Sequence, residues 1–372
     1  MFESIRKKDG RQRPSQAGKD GDIPPSTPAD PAPKSMDAGK ETGRIPPDSK
    51  DGSDDIVALP PGVRRPKIGL ALGAGVARGW AHIGVIRRLH EEGVPVDMVA
   101  GTSIGAVVGG ALAAGQLDTL EDWARSLKEY NFFRFLDIGL KGGLFGGDRL
   151  NRLMMENFGG ATFDNLTIPF TAVACELKTG HEVWLSEGDM ADAIQASFAL
   201  PGVFEPKRIK RRWLADGALV NPVPVSVCRA AGCEIVIAVN LAEDLYGRRK
   251  ATKAGAMEDS DYGVFSSIMK DPAALGSQSR SSFLRRIFGK KEDSPSMFTS
   301  MVASLNILQN RLSRSRLAGD PPDITINPRV GHLGLMDFHR APELIEEGVR
   351  AFDETLPLMK DAIAIISHRL NS

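Results

Sequence analysis

Residues 99–110 read VAGTSIGAVVGG. An apolar run ends at Gly101, and Ser103 stands between Gly101 and Gly105 before a second run of small apolar residues. Two readings compete. Either Ser103 is a nucleophile held up on a sharp turn, or it is one more small residue in a tightly packed segment. Gly-x-Ser-x-Gly alone is weak, and its setting supplies the weight. Val94–Ala100 has the composition of a buried strand, and the small-residue run from Ile104 reads as a helix closed by Gly115. At a strand-to-helix junction, side chains flanking the serine would clash, and glycines at 101 and 105 remove them. The helix start also aims backbone N–H groups and positive partial charge at the same spot, which favours a developing anion.

The same alternation continues along the chain. Lys67–Leu72 (KIGLAL) is predicted as a buried strand, followed by a helix with Ile83, Ile86 and Leu89 on one face. Further strands are expected at Ile168–Ala174, His181–Leu185, Glu234–Val239 and Asp323–Asn327. Two closing helices are expected at about Pro342–Phe352 and Glu354–Arg369. Nearly continuous apolar strands alternating with helices imply a three-layer α/β/α domain on a mostly parallel sheet.

Two segments differ in kind. Residues 1–64 hold ten of the 24 prolines, and after Phe2 their next aromatic neighbour is Trp80. Such a tail buries too little apolar surface to offset its ordering entropy and is expected to be disordered, with the domain running from 65 to 372. Residues 243–300 are polar and basic and read as a long insertion. Within it, Arg280–Lys291 (RSSFLRRIFGKK) spaces Phe283, Leu284, Ile287 and Phe288 helically among cations. That pattern either docks on the protein's own core or lies on an anionic membrane.

Bulk properties narrow the classes. The 372 residues are 42% hydrophobic and 25% charged, with formal net charge zero, so bulk charge does not point to nucleic acid. Three cysteines without a C-x-x-C pattern indicate neither a disulfide framework nor a zinc site. No apolar h-region follows the N-terminus, and the most apolar stretch is glycine-rich and short for a membrane span. A cytoplasmic protein is expected, peripheral on the inner membrane surface if the basic segment binds lipid.

Acyl-transfer chemistry at Ser103 would need an oxyanion hole and a base. Leu72–Gly84 (LGAGVARGWAHIG) is a glycine-rich turn after the first strand, and neighbouring parallel strands end on one side of a sheet. A dinucleotide fingerprint is disfavoured because Arg78 stands where its third glycine belongs, and no Gly-Lys-Ser/Thr makes a P-loop. Asp216 ends a short apolar run beside Gly217 in RRWLADGALVNPVPV (211–225). Taken alone, Asp-Gly is usually only a turn.

Together, GAGVARGWAHIGV, GTSIG, ASFALPGVFEP (196–206) and DGALVNPVPV resemble the patatin-like phospholipase family in order and spacing, close to its bacterial members and to the catalytic domain of neuropathy target esterase. The resemblance spans roughly Lys67–Val239, with a looser match at Arg316–Pro328. It implies a serine–aspartate dyad without a cofactor or metal. Ser103 would be the nucleophile in its Gly101/Gly105 elbow, and Asp216 the general base in a turn with Gly217 and Ala218. The oxyanion hole would come from the loop Gly73, Ala74, Gly75, Val76, Ala77 and Arg78, chiefly from Gly75 and Val76. The chain departs from the family's glycine run at Ala74 and Val76, and a side chain at 76 disfavours positive φ. Arg78 is expected to brace the loop.

The implied substrate is a phospholipid or lysophospholipid ester. A carboxylesterase for soluble esters and a catalytically silent scaffold are the alternatives. A Ser-Asp-His triad completed by His332, His339 or His368 also stays open, whereas His82 is expected to be structural. Asn131–Leu136 (NFFRFL) lines either an acyl groove or ordinary core.

Overall fold

The computed structural model describes residues 64–127, 137–138, 145–146, 161–243 and 297–372. The tail 1–64 (except Arg64), the NFFRFL cluster and the basic segment 280–291 lie outside the described residues.

Ten strands occur among them: β1 (Ile68–Leu72), β2 (Met98–Thr102), β3 (Asp137–Ile138), β4 (Phe145–Gly146), β5 (Phe170–Glu176), β6 (Glu182–Leu185), β7 (Lys207–Ile209), β8 (Arg212–Asp216), β9 (Ile235–Val239) and β10 (Ile324–Ile326). β3 and β4 pair only with each other, and the remaining eight form one sheet whose pairings run β10 to β9, β9 to β1, β1 to β2, β2 to β5, β5 to β8 and β8 to β7, with β6 also paired to β5. From β10 to β5 every pairing is parallel; β6, β8 and β7 add an antiparallel flank. The sheet is therefore mostly parallel, as expected, and helices flank it.

The helices are α1 (Ala81–Glu91), α2 (Ile104–Ala113), α3 (Leu117–Ser126), α4 (Met190–Ser197), α5 (Val225–Ala230), α6 (Met297–Gly319) and α7 (Ala341–Asn371). Side-chain alternation within the apolar strands decides the layers. Ile68, Leu70, Leu72, Val99, Ile235, Ile237 and Val239 face a large core shared with α1, α2, α3, α4 and α7. Ala71, Ala100, Val236 and Ala238 face the other way, toward Val225, Val227 and Cys228 of α5 and Leu317 of α6. Small residues on that face let α5 lie close.

Several boundaries differ from expectation. The second strand starts at Met98 and runs through Thr102, because Pro95 cannot donate a ladder bond and Asp97 instead turns the chain, its carboxylate accepting from Ile68 N at 2.8 Å. The insertion gives way to helix at Met297, before its expected end at 300. The two closing helices are one, with Pro357 inside α7. Packing holds it together: a Cβ on Gly348 would sit 2.0 Å from Ala81 O, so the backbones of α7 and α1 touch and anchor its N-terminal half. Phe352, Met359 and Ile363 bury the remainder.

The register of β5 places the site. Residues 172–173 pair with both β2 and β6, so those two strands lie on opposite edges of β5. Residues 174–175 pair with both β6 and β8, so β8 is also opposite β6. Hence β2 and β8 share one edge and meet head to head, with Thr102 beside Val173 and Asp216 beside Ala174.

Candidate active site

That junction brings together the last residue of β8 and the residue following β2. Ser103 Oγ donates to Asp216 Oδ2 at 2.7 Å across 113 positions of sequence. Ser103 is 7% exposed and Asp216 2%. The serine holds φ 59° and ψ −124°, a conformation outside the regions open to most residues. Strain of this kind survives only where neighbours over-determine it. A Cβ on Gly101 would lie 2.4 Å from Gly105 O, and one on Gly105 2.2 Å from Leu72 O. Ser103 O accepts from Ala106 N at 2.9 Å and opens α2, while its Oγ makes no cap bond to the helix. The hydroxyl is left to Asp216.

Asp216 closes a strand and opens a tight turn, and its Oδ1 accepts from Ala218 N at 2.8 Å. Burial raises its pKa from 3.8 to about 7, and the bonds from Ala218 and Ser103 only partly offset that rise. Among the described residues, neither carboxylate oxygen meets a histidine. His332 pairs with Glu343 at 3.0 Å on the surface, and His368 is an exposed residue of α7.

The glycine-rich loop follows β1 on the same side of the sheet. Its N–H groups divide into two sets. Gly73 N donates to Val239 O (3.1 Å), Ala74 N to Pro222 O (2.9 Å), Ala77 N to Leu335 O (3.1 Å) and Arg78 N to Gly75 O (3.2 Å). The N–H groups of Gly75 and Val76 have no acceptor among the described residues. Val76 adopts φ 54°, which a β-branched residue rarely does; the expected obstacle at 76 is thus met by strain rather than avoided. Arg78 is buried and its Nε and Nη2 donate to Leu333 O at 2.9 and 2.6 Å, so it braces the loop.

Three further residues support the site; sequence alone singles out neither Ser197 nor Thr102, whereas it marks His82 as structural. Ser197, inside the ASFALPGVFEP motif at the end of α4, accepts from Ser103 N at 3.0 Å and donates to Val173 O at 2.6 Å. It ties the nucleophile's backbone to β5. His82 is fully buried and its Nε2 donates to Gly73 O at 2.8 Å, with burial lowering its pKa to about 4, so it is a neutral brace. Thr102 Oγ1 donates to Asn221 O at 2.8 Å and fastens β2 to the segment after Asp216. A small buried hydroxyl in an apolar motif carries no sequence signal separating it from core alanine.

The family model for patatin-like phospholipase matches residues 70–229, which include the loop, Ser103, Ser197 and Asp216. An NTE family protein of Mycobacterium tuberculosis is 33% identical over 333 residues, covering 77% of this chain and 90% of that one. The chain belongs to the patatin-like phospholipase family. Membership places it among lipid hydrolases. A fungal member, lysophospholipase NTE1 of Coccidioides immitis, is 26% identical over 79% of this chain, which spans 18% of that longer protein. Among solved structures, VipD from Legionella pneumophila aligns with TM-score 0.42 and 16% identity over 80% of this chain and 67% of that one. Among the described residues, no cluster of three or more His, Cys, Asp or Glu is placed to hold a metal, and no helix is long and apolar enough to cross a membrane.

Proposed function

We propose that the protein hydrolyses carboxylic esters of phospholipids or lysophospholipids through a Ser103–Asp216 dyad. The observation that carries the reading is the 2.7 Å bond from the Ser103 hydroxyl to a buried carboxylate. As Ser103 Oγ bonds to the ester carbonyl carbon, its proton passes to Asp216 and the carbonyl electron pair moves onto oxygen. The N–H groups of Gly75 and Val76, with the start of α2, meet that oxyanion. Collapse expels the alcohol, which takes the proton from Asp216. Water then attacks the acyl-enzyme, again giving its proton to Asp216; the intermediate collapses, Ser103 Oγ leaves and takes that proton back from Asp216, and the fatty acid is released. A base with a pKa near 7 suits this work better than an ordinary aspartate, because it holds the transferred proton at neutral pH.

The test is covalent labelling with a fluorophosphonate probe, together with fatty-acid release from lysophosphatidylcholine and phosphatidylcholine. Ser103→Ala is expected to lose labelling and release together, by about a thousandfold or more. Asp216→Asn should lose both nearly as far, and His332→Ala, His339→Ala and His368→Ala should keep them. Labelled wild type that cleaves soluble short-chain esters but neither lipid would replace the lipid substrate with a soluble one. Folded wild type that neither labels nor hydrolyses would overturn the enzyme reading.

A further inference from the structure

The antiparallel flank of the sheet carries a surface that the chemistry at Ser103 does not use. β8 runs against β5, and Glu176, the last residue of β5, pairs with Leu214. The β7–β8 turn therefore rises beyond the ends of the parallel strands, on the side where Ser103 and the glycine-rich loop sit. Its sequence, KRIKRRW (207–213), has five cations and no acid.

Cross-strand partners share a face, as do alternate residues along a strand. Trp184 is opposite Val173, Arg208 is opposite Trp213, and Leu177 N donates to Trp213 O at 2.9 Å, one step beyond the Glu176–Leu214 pair. Trp184, Leu177, Trp213 and Arg208 consequently stand on one face. It is left open: Trp213 is 53% exposed, Leu177 47% and Trp184 46%. The Arg208 guanidinium lies 5.8 Å from the Trp213 ring centre, and Trp184 Nε1 donates to Glu182 at 2.6 Å. Both tryptophans are thus held with apolar rings toward water.

The charge around them is unbalanced. Lys207 pairs with Asp192 and Lys210 with Glu187. Arg211 and Arg212 are exposed and form no ion pair among the described residues; against exposed Glu205 the hairpin keeps an excess of positive charge. Exposed tryptophans beside arginines fit the boundary between an anionic headgroup layer and acyl chains, where rings sit in the interface and guanidinium groups reach phosphates. Trp213 is three residues from Asp216, or about 10 Å along the strand. We infer that Trp184, Leu177, Trp213 and Arg208, with Arg211 in the β7–β8 turn, form the surface by which the protein docks on an anionic lipid bilayer, with the Ser103 side of the sheet turned toward it. The inference rests on the lipid-hydrolase reading for its biological sense, while binding itself is measured without catalysis.

The experiment uses the full chain carrying Ser103→Ala, so that vesicles stay intact. Its sedimentation is followed with phosphatidylcholine vesicles, with and without phosphatidylglycerol as roughly a third of the lipid, at rising ionic strength. Binding to the anionic vesicles that weakens with salt is expected. Adding Arg208→Glu with Arg211→Glu should weaken it about tenfold or more, and adding Trp213→Ala should weaken it on both vesicle types. Near-ultraviolet circular dichroism and the thermal midpoint show whether each variant is folded. Folded variants that bind like the parent overturn the inference, as does loss of binding only with Arg285→Glu and Arg286→Glu. Binding to duplex DNA but not to vesicles would assign the patch to nucleic acid. A dimer in light scattering that the patch variants dissociate, with vesicle binding unaltered, would assign it to a second copy. Ser103-dependent fatty-acid release by the parent enzyme without vesicle binding would sink this inference and leave the hydrolase reading standing; vesicle binding without release would do the reverse.

Discussion

At the residue scale, the site is governed by how the protein treats one carboxyl group. Asp216 is buried with two hydrogen bonds and no cationic partner among the described residues, so its neutral form is favoured and its pKa climbs to about 7. The general base must be ionised, so kcat/KM for a soluble ester should rise with pH and reach half its plateau near pH 7. A profile flat from pH 5 to 9 would remove Asp216 from that role. The same shift sets a stability cost. Between pH 3.8 and about 7 the folded chain keeps a proton that the unfolded chain has lost, so this group's contribution to stability falls as pH rises and then levels. Asp216→Asn does not titrate. Its stability relative to wild type should therefore grow over that window, by up to about 4 kcal/mol, although activity is lost. Thermal midpoints of both proteins at pH 5 and pH 8 measure this, and an equal difference at the two values would refute it. Ser197 makes a separate case. Ser197→Ala leaves Ser103 N and Val173 O without their partner and should lower kcat about ten- to a hundredfold with little change in KM. Steady-state kinetics on a soluble ester decide it.

At the element scale, the strand–turn–helix around Ser103 works because two glycines let backbone pass where a methyl group would not. Gly105→Ala would set a Cβ 2.2 Å from Leu72 O, and backbone cannot yield there without moving the start of α2. The expected result is destabilisation of about 2–4 kcal/mol in denaturant melts and loss of probe labelling even where the chain stays folded. These elements were largely legible. The alternation in IGLAL and IVIAV, with large residues on one face and small on the other, already describes a sheet covered on both sides. The β7–β8 hairpin was not legible, because its cations mask the short strand pattern and Asp216 looks like a turn residue from its neighbours alone. The closing helix reads as two from sequence alone, because its unity comes from contact with α1, a partner far away in the chain.

At the scale of the whole molecule, the site is braced from segments distant in sequence. Pro222 O holds Ala74 N, Leu335 O holds Ala77 N, and Leu333 O receives Arg78. The segment after β10 thus supports the loop after β1. Arg78→Ala removes a buried brace and should cost about 2–4 kcal/mol, with loss of activity beyond what global stability explains. Arg78→Lys, with one donor head in place of the fork, should recover part of the stability and less of the activity. Denaturant melts and initial rates on the two variants test the ordering. Recovery of activity ahead of stability would contradict it.

By itself, the sequence determined what is local: the alternating strands and helices, the strained serine turn with its paired glycines, the glycine-rich loop, and the motifs that mark the family. Such features follow from side-chain size, backbone freedom and periodicity over a few residues. Only the tertiary structure decided that β2 and β8 meet head to head on one edge of β5, that Ser103 and Asp216 touch across 113 positions, and that Gly75 and Val76 alone in their loop keep N–H groups without an acceptor among the described residues. The reason is physical. Register between distant strands and the burial that shifts a pKa arise from contacts closed by the whole fold, and no short window of sequence contains them.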